Sequence, residues 1–503
     1  MMGTLQQQEA GVLSGADLNG GLGMTQMLLQ QAMMINGMTL PVIAVAAGMW
    51  WRWQRAVVMS KSKLRGSSGF PLLGETMAYM SQMGSPLANF VDNKAKRYGK
   101  LFKTHLFFQP TVIAAEEEEV RMIVQKEGKL FDVNYPTSFA NLLGPYNGLN
   151  IVGHMWKRMR RFIVANVLKP ELLRERVNFI EDMVIEALSS WEGRTVFVED
   201  EARALAFHVT ALIVLNIHPG ELNDKIKEDM YILIKGMFFL PIDLPWTAYG
   251  KGMRARERVV KTLTDYLESR PVKDDIYDKF IQTIREDSPE DTEEMLRGQG
   301  RDLLTGLLFA GHDTTAATMV FTVKYVGENP HVLAEIRKEH ENVIKLKQPG
   351  ERLTWEDCKA MSFTQDVITE TLRLCNVSTT TFRKSLEDVH VGGKLVIPKG
   401  WMVLPYFRSV HYDPTFYPEP YKFNPWRYKE AGTKLPFFGF GGGARLCPGS
   451  ELARTEICIL LHHLVTKFDS WELIGKDIPS FFPFPRLSKR LPIRVKPLQK
   501  TVK

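Results

Sequence analysis

The chain has 503 residues, 45% hydrophobic and 24% charged, a globular composition that excludes disorder for most of its length and is ample for a large buried core. Lys and Arg total 64 against 57 Asp and Glu, a net charge of +7; so mild an excess suits a membrane surface or an acidic protein partner and does not require nucleic acid. The four cysteines, Cys358, Cys375, Cys447 and Cys458, show no CxxC spacing, which excludes a disulfide-stapled secreted domain and points to a reducing, cytosol-facing compartment.

No charged residue occurs between Asp17 and Arg52. A bilayer span needs about 20 apolar residues, so residues 24–51 are expected to form a single-pass anchor within an N-terminal tail of residues 1–65. Trp50, Trp51 and Trp53 sit where an aromatic belt belongs, and Arg52, Arg55, Lys61, Lys63 and Arg65 keep the following side in the cytosol. The Gly/Ser/Pro-rich stretch 66–75 is expected to be a hinge, followed by one large domain over residues 76–503.

"KTHLFFQPTVIAAE" predicts two short strands with a turn at Gln109-Pro110. Helical patterns dominate from Arg158 to Glu268, and "WKRMR" (Trp156 to Arg160) lies on one of them. Around that helix Lys157, Arg158 and Arg161 read either as a docking patch for an acidic partner or as a solvated basic face. After the polar connection 285–294 comes a long, mostly apolar helix carrying "AGHDTT" (Ala310 to Thr315). Ala310 and Thr314 share a face. Asp and Thr side chains compete for backbone carbonyls and weaken a helix, so their place inside an apolar one suggests a purpose.

"ETLR" (Glu370 to Arg373) is an i, i+3 ion pair, bracketed by Val367, Leu374 and Val377 in a way that argues for burial. Alternating residues from Glu387 to Phe407 predict strands, with turns at Gly392-Gly393 and Pro398-Lys399-Gly400. The element order is that of a mainly α chain of α+β type.

Near the end stands "FGFGGGARLCPGSELAR" (Phe438 to Arg454). Pro448 favours the first helical position, which places Cys447 at the N-cap, where the helix dipole and free N–H groups lower a thiol pKa. The glycines let backbone approach something large and flat, or bend tightly. One thiolate with no other ligand nearby is a poor zinc site and suits an ion whose remaining ligands come from a macrocycle.

Phe440, Gly443, Arg445, Cys447 and Gly449 reproduce F-x-x-G-x-R-x-C-x-G, and here the sequence resembles the cytochrome P-450 superfamily. The resemblance implies a large helical lobe, a small β-rich lobe and a long central helix over haem b, with Cys447 as axial thiolate. It further implies that Gly311, beside Ala310, lets cofactor and dioxygen lie close, that Thr314 hydrogen-bonds to dioxygen, and that Asp313 relays protons from solvent. Trp156, Arg160, Arg383 and Arg445 become candidates for the haem carboxylates, and Glu370, Arg373 and Arg427 a buried charge cluster locking the loop that leads to Cys447.

"RYGKLFKTHLF", "IPKGWMVLPYFRSVHYDP" and "CPGSELARTEICILLHHLVTKF" are similar to the plant branch acting on sterols, brassinosteroids and terpenoids. That implies a polycyclic isoprenoid substrate, a monooxygenase reaction with O2, and electrons from NADPH through a reductase at the endoplasmic reticulum membrane. Its substrate pocket is expected from the segments 135–144, 236–241, 377–382 and 480–485. The alternative is a haem-thiolate isomerase or dehydratase that needs no reductase, against which the retention of Asp313 and Thr314 speaks. A non-catalytic haem-binding module is the other rival.

Overall fold

The computed structural model describes residues 48, 56–70, 74–83, 90–270, 275–391, 395–432, 434–481 and 484–498. The chain divides into two compact units, Met1–Lys61 and Ser62–Lys503. In the first, residues 56–60 are helical. The expected span 24–51 lies outside the described residues apart from Gly48, and no helix among the described residues is long and apolar enough to cross a membrane.

Of the segment 66–75, expected as a hinge, residues 66–70, 74 and 75 are described and make contacts within the second unit. Gly66 bridges Lys103, and the Ser67 hydroxyl donates to the Glu75 carboxylate at 3.0 Å. The Thr104 hydroxyl reaches the same carboxylate at 2.7 Å. A Gly/Ser composition permits a hinge but does not prevent such bonds once a strand edge is offered.

Strands Leu101–Leu106 and Gln109–Ala114 pair antiparallel, Leu101 opposite Ala114. The turn falls on Phe107-Phe108, with φ of 50° and 64°, rather than on Gln109-Pro110, which belong to the second strand. Two consecutive left-handed residues make the tight connection that matches strand twist. Phe107 tolerates it because its ring packs edge-on against Tyr79 and Phe382. Gln109–Ala114 also pairs in parallel with Met402–Pro405, Thr111 opposite Met402. That strand continues the sheet through Arg383–Ser385 to Phe131–Val133, which sets Arg383 opposite Val133.

The helical lobe is built around Glu293–Glu328, 36 residues long. The Thr292 side chain accepts the Met295 N–H at its N-terminus, satisfying one of the free donors there. Its sides are buried among the helices Val198–Leu215, Ser362–Cys375 and Ser450–Lys467, which is why its apolar residues follow no single stripe. Asn216 and Asn376 end two of these neighbours in the left-handed conformation, which asparagine tolerates.

Candidate active site

A cavity of about 380 Å³ is lined by Phe440, Arg445, Cys447 and Gly449 of the glycine-rich loop, by Ala310, Gly311 and Thr314 of the long helix, and by Arg383 of the sheet. Tyr135, Phe139, Phe238, Val377–Phe382 and Phe484 are also among its lining, so each of the four segments expected to form the pocket reaches it. Phe481 instead packs beside Phe321 and Arg408.

The loop around Cys447 is held by its own backbone. Cys447 N–H donates to the Phe440 carbonyl at 3.0 Å and Gly441 N–H to Phe438 at 2.8 Å, while Phe438 N–H donates to the His411 Nε2 at 2.9 Å. Gly443 has φ +64°, and a Cβ there would lie 1.8 Å from the Val124 carbonyl oxygen. Glycine is therefore required by close approach to the helix Glu117–Gln125 as well as by conformation.

The helix after Cys447 starts at Ser450 with Gly449 as N-cap, so Cys447 lies two residues before the cap and not on it. Burial pushes its thiol up, against the Gly449 N–H and the Arg160 charge, which pull it down. The Gly449 N–H lowers the thiol as its position predicts, and burial raises it by more. A bound cation would supply the missing stabilisation of the thiolate.

Arg445 donates from Nε to Glu127 at 2.6 Å, and from Nη1 and Nη2 to the Gly148 and Ile151 carbonyls at 3.0 and 2.8 Å. Its guanidinium stacks 4.6 Å from the Trp156 ring centroid. Arg383 Nε lies 2.5 Å from the other oxygen of Glu127, an ion pair without hydrogen-bond geometry. Among the described residues no hydrogen bond or ion pair engages Arg160, and its charge acts on Cys447. Neither Trp156 nor Arg160 lines the cavity wall directly. Glu127 escaped the sequence reading: it is 318 positions from Arg445, and its only local signal is the turn glycine Gly128, φ +73°.

On the long helix, Ala310 and Thr314 face the cavity, and the Thr314 hydroxyl donates to the Ala310 carbonyl at 2.7 Å. A Cβ on Gly311 would lie 2.6 Å from the Thr210 hydroxyl oxygen, so this glycine admits the helix Val198–Leu215 as well as opening the cavity wall. Asp313 does not line the cavity. It is buried on another side of the helix, 3.3 Å from Arg203 and 3.6 Å from Arg486. Both arginines lie over the Tyr231 ring, and Arg203 also pairs with Glu199 at 3.1 Å.

A family profile described as Cytochrome P450 matches residues 64–496. The chain is 36% identical to the 3beta,22alpha-dihydroxysteroid 3-dehydrogenase of Arabidopsis thaliana, over 92% of this chain and 99% of that protein. It is 34% identical to a cholesterol 22-hydroxylase of Paris polyphylla (87% and 92%) and to the abietadienol/abietadienal oxidase of Pinus taeda (89% and 94%). Among solved structures, a cyanobacterial CYP120A1 with bound retinoic acid superposes with a TM-score of 0.77 at 26% identity, covering 86% of this chain and 99% of that one. The chain belongs to the cytochrome P450 family. It has the P450 fold and is a P450 monooxygenase.

P450 enzymes carry haem with a thiolate ligand, and the residues here fit it. Cys447 lines the cavity, a Cβ at Gly449 would touch nothing within 4 Å, and Arg160 is a part-buried cation with no hydrogen bond or ion pair among the described residues. The rest of the P450 frame is braced by Glu370 and Arg373, both 0% exposed. Arg373 makes a bidentate pair with Glu370 at 2.8 and 2.8 Å. Arg427 and the Tyr428 hydroxyl each donate to the same carboxylate at 3.0 Å. The arginines go on to the carbonyls of His411, Pro418 and Pro420, so one buried carboxylate gathers the segment 411–428. Of the basic residues near Trp156, Lys157 and Arg161 are exposed. Arg158 is buried and donates to Ser288 and Gln299, which removes it from any docking patch.

Proposed function

We propose that this P450 hydroxylates a polycyclic isoprenoid lipid of sterol or brassinosteroid type, using O2 and electrons from NADPH delivered by a cytochrome P450 reductase. The observation that carries the substrate class is the aromatic wall of the cavity. Phe139 meets Phe238 and Phe309, Phe238 meets Phe382 and Phe484, and Tyr135 stacks on Phe139, all with centroids 4.6–6.2 Å apart. Such a wall binds a rigid hydrocarbon by contact area, while a few hydroxyls orient it. The relatives whose names carry a steroid or a diterpenoid support the same reading.

Haem b, bound through Cys447, would supply oxygen activation, a chemistry that belongs to the cofactor. This chain's residues would do the rest. Arg160, Arg383 and Arg445, with Trp156 packed on Arg445, would hold the macrocycle's carboxylates. Phe440, Gly443 and Gly449 would shape the loop on the thiolate side. Ala310 and Gly311 would leave room above the macrocycle, and Thr314 would hold a proton-bearing group in the cavity. Asp313, released from Arg203 or Arg486, would pass protons inward from the surface. Glu370, Arg373 and Arg427 would keep the loop leading to Cys447 in place.

Lys157 and Arg161 are the basic residues left on that helix for an acidic reductase. Phe239, Ile242, Leu244 and Trp246, 39–71% exposed in one connection, support contact with a membrane surface, in keeping with a single-pass protein of the endoplasmic reticulum whose catalytic domain, residues 76–503, faces the cytosol. Titrating purified protein with sterols and with diterpenes while recording haem absorbance tests the substrate class. Saturable shifts with sterols are expected; shifts with neither class would overturn it.

A further inference from the structure

We propose that Glu127 is a positioning residue for the cofactor, aiming Arg383 and Arg445 together and holding down the ease with which the iron is reduced. The inference rests on the reading that these arginines hold the macrocycle's carboxylates. Glu127 stands in the turn after the helix Glu117–Gln125, where Gly128 N–H bonds to the Phe131 carbonyl at 2.7 Å. Its side chain is 3% exposed, and those of Arg383 and Arg445 are 4% and 9%. Each of its oxygens meets the Nε of a different arginine, at 2.5 and 2.6 Å.

Two consequences follow from that arrangement. Two guanidinium groups this buried and this close repel each other, and a carboxylate between them makes the pair tolerable. Because the Nε edge of each arginine is turned to Glu127, as a hydrogen bond from Arg445 and as an ion pair without hydrogen-bond geometry from Arg383, their terminal nitrogens are left to other partners. Those of Arg445 reach the Gly148 and Ile151 carbonyls, one of Arg383 reaches the Phe382 carbonyl at 3.0 Å, and the remaining N–H groups can face the cavity that both residues line. Asp132, 3.8 Å from Arg445, is farther off and 20% exposed, so Glu127 is the carboxylate that orients the pair. Residues behind a ligand commonly set both its grip and its electronics. A negative charge fixed beside the cofactor also opposes the arrival of an electron, and so lowers the reduction potential.

The test uses the full chain loaded with haem, as wild type and as Glu127→Gln and Glu127→Asp, with Arg383→Leu and Arg445→Leu alongside. Haem transfer to an excess of apomyoglobin and the ferric/ferrous midpoint potential are measured. Glu127→Gln should lose haem about 10- to 100-fold faster and shift the midpoint to a more positive value. Glu127→Asp keeps the charge but shortens its reach, so its midpoint should stay with wild type while haem loss still accelerates. Should the Gln variant fail to fold, the Asp variant decides: haem loss at the wild-type rate overturns the proposal. So does a Gln variant with both values unchanged. If instead neither Arg383→Leu nor Arg445→Leu speeds haem loss, the reading beneath the proposal is what fails.

Discussion

Thr314 donates its hydroxyl to the carbonyl oxygen of Ala310, one turn back on the same helix, at 2.7 Å. With its proton engaged there, the hydroxyl offers the cavity lone pairs, so it acts first as an acceptor. Mid-helix threonine makes this bond readily, and the bond sets the side chain's rotamer instead of competing with a role in the cavity.

Thr314→Ala is therefore expected to keep fold and haem absorbance but to lower product formed per NADPH by about tenfold or more, within the range of one positioned proton-transfer group. The remainder should appear as hydrogen peroxide. An unchanged ratio of product to NADPH removes Thr314 from the chemistry.

Asp313 is held by two arginines on a side of the helix that does not line the cavity. Asp313→Asn should slow turnover by about a hundredfold and enlarge the solvent deuterium isotope effect while leaving substrate-induced shifts intact. If turnover persists at the wild-type rate, protons enter by another route.

Replacing Cys447 by Ala should abolish the carbon-monoxide difference spectrum of a thiolate-ligated haem. Persistence of that spectrum in the variant would remove the ligand assignment from this residue.

Glu370→Ala leaves the Arg373 and Arg427 charges buried without their carboxylate, at a cost of about 3–5 kcal/mol. Urea denaturation of the haem-loaded protein should show a loss of that size. A change below about 1 kcal/mol would mean that the cluster does not brace the segment 411–428.

His411 gives a pH dependence. Burial, with Arg373 adding to it, pulls its imidazole down from 6.5 to about 3. Its Nε2 must stay unprotonated to accept the Phe438 N–H, while Nδ1 faces Asn376 at 2.8 Å. The unfolded chain binds this proton more readily, so the stability contributed is fully present above about pH 6.5 and is lost as pH falls toward 3. Comparing wild type with His411→Gln by thermal unfolding, the wild-type advantage should narrow by up to about 1.4 kcal/mol per pH unit below 6.5. An advantage that does not vary with pH would show that His411 takes up its proton as readily in the fold as in the unfolded chain.

Several features were legible along the chain because they depend on near neighbours. Glycine and proline spacing marked the loop before Cys447, and the i, i+4 relation put Ala310 and Thr314 on one face. Apolar residues around Glu370 announced its burial. The readings that changed are those where distant parts of the chain compete for one group. The Phe107-Phe108 turn depends on rings from Tyr79 and Phe382, Gly66 pairs with Lys103 across 37 positions, and Arg158 turned inward to Gln299.

By itself, then, the sequence determined the family and the mainly helical fold and singled out Cys447 as the candidate ligand, since these are written in spacings of a few residues. Only the tertiary structure decided that burial raises the Cys447 thiol, that Asp313 is bound by Arg203 and Arg486, and that Glu127 joins Arg383 to Arg445. Desolvation and ion pairing depend on which side chains share a volume, and groups 318 positions apart leave no periodic trace of sharing one.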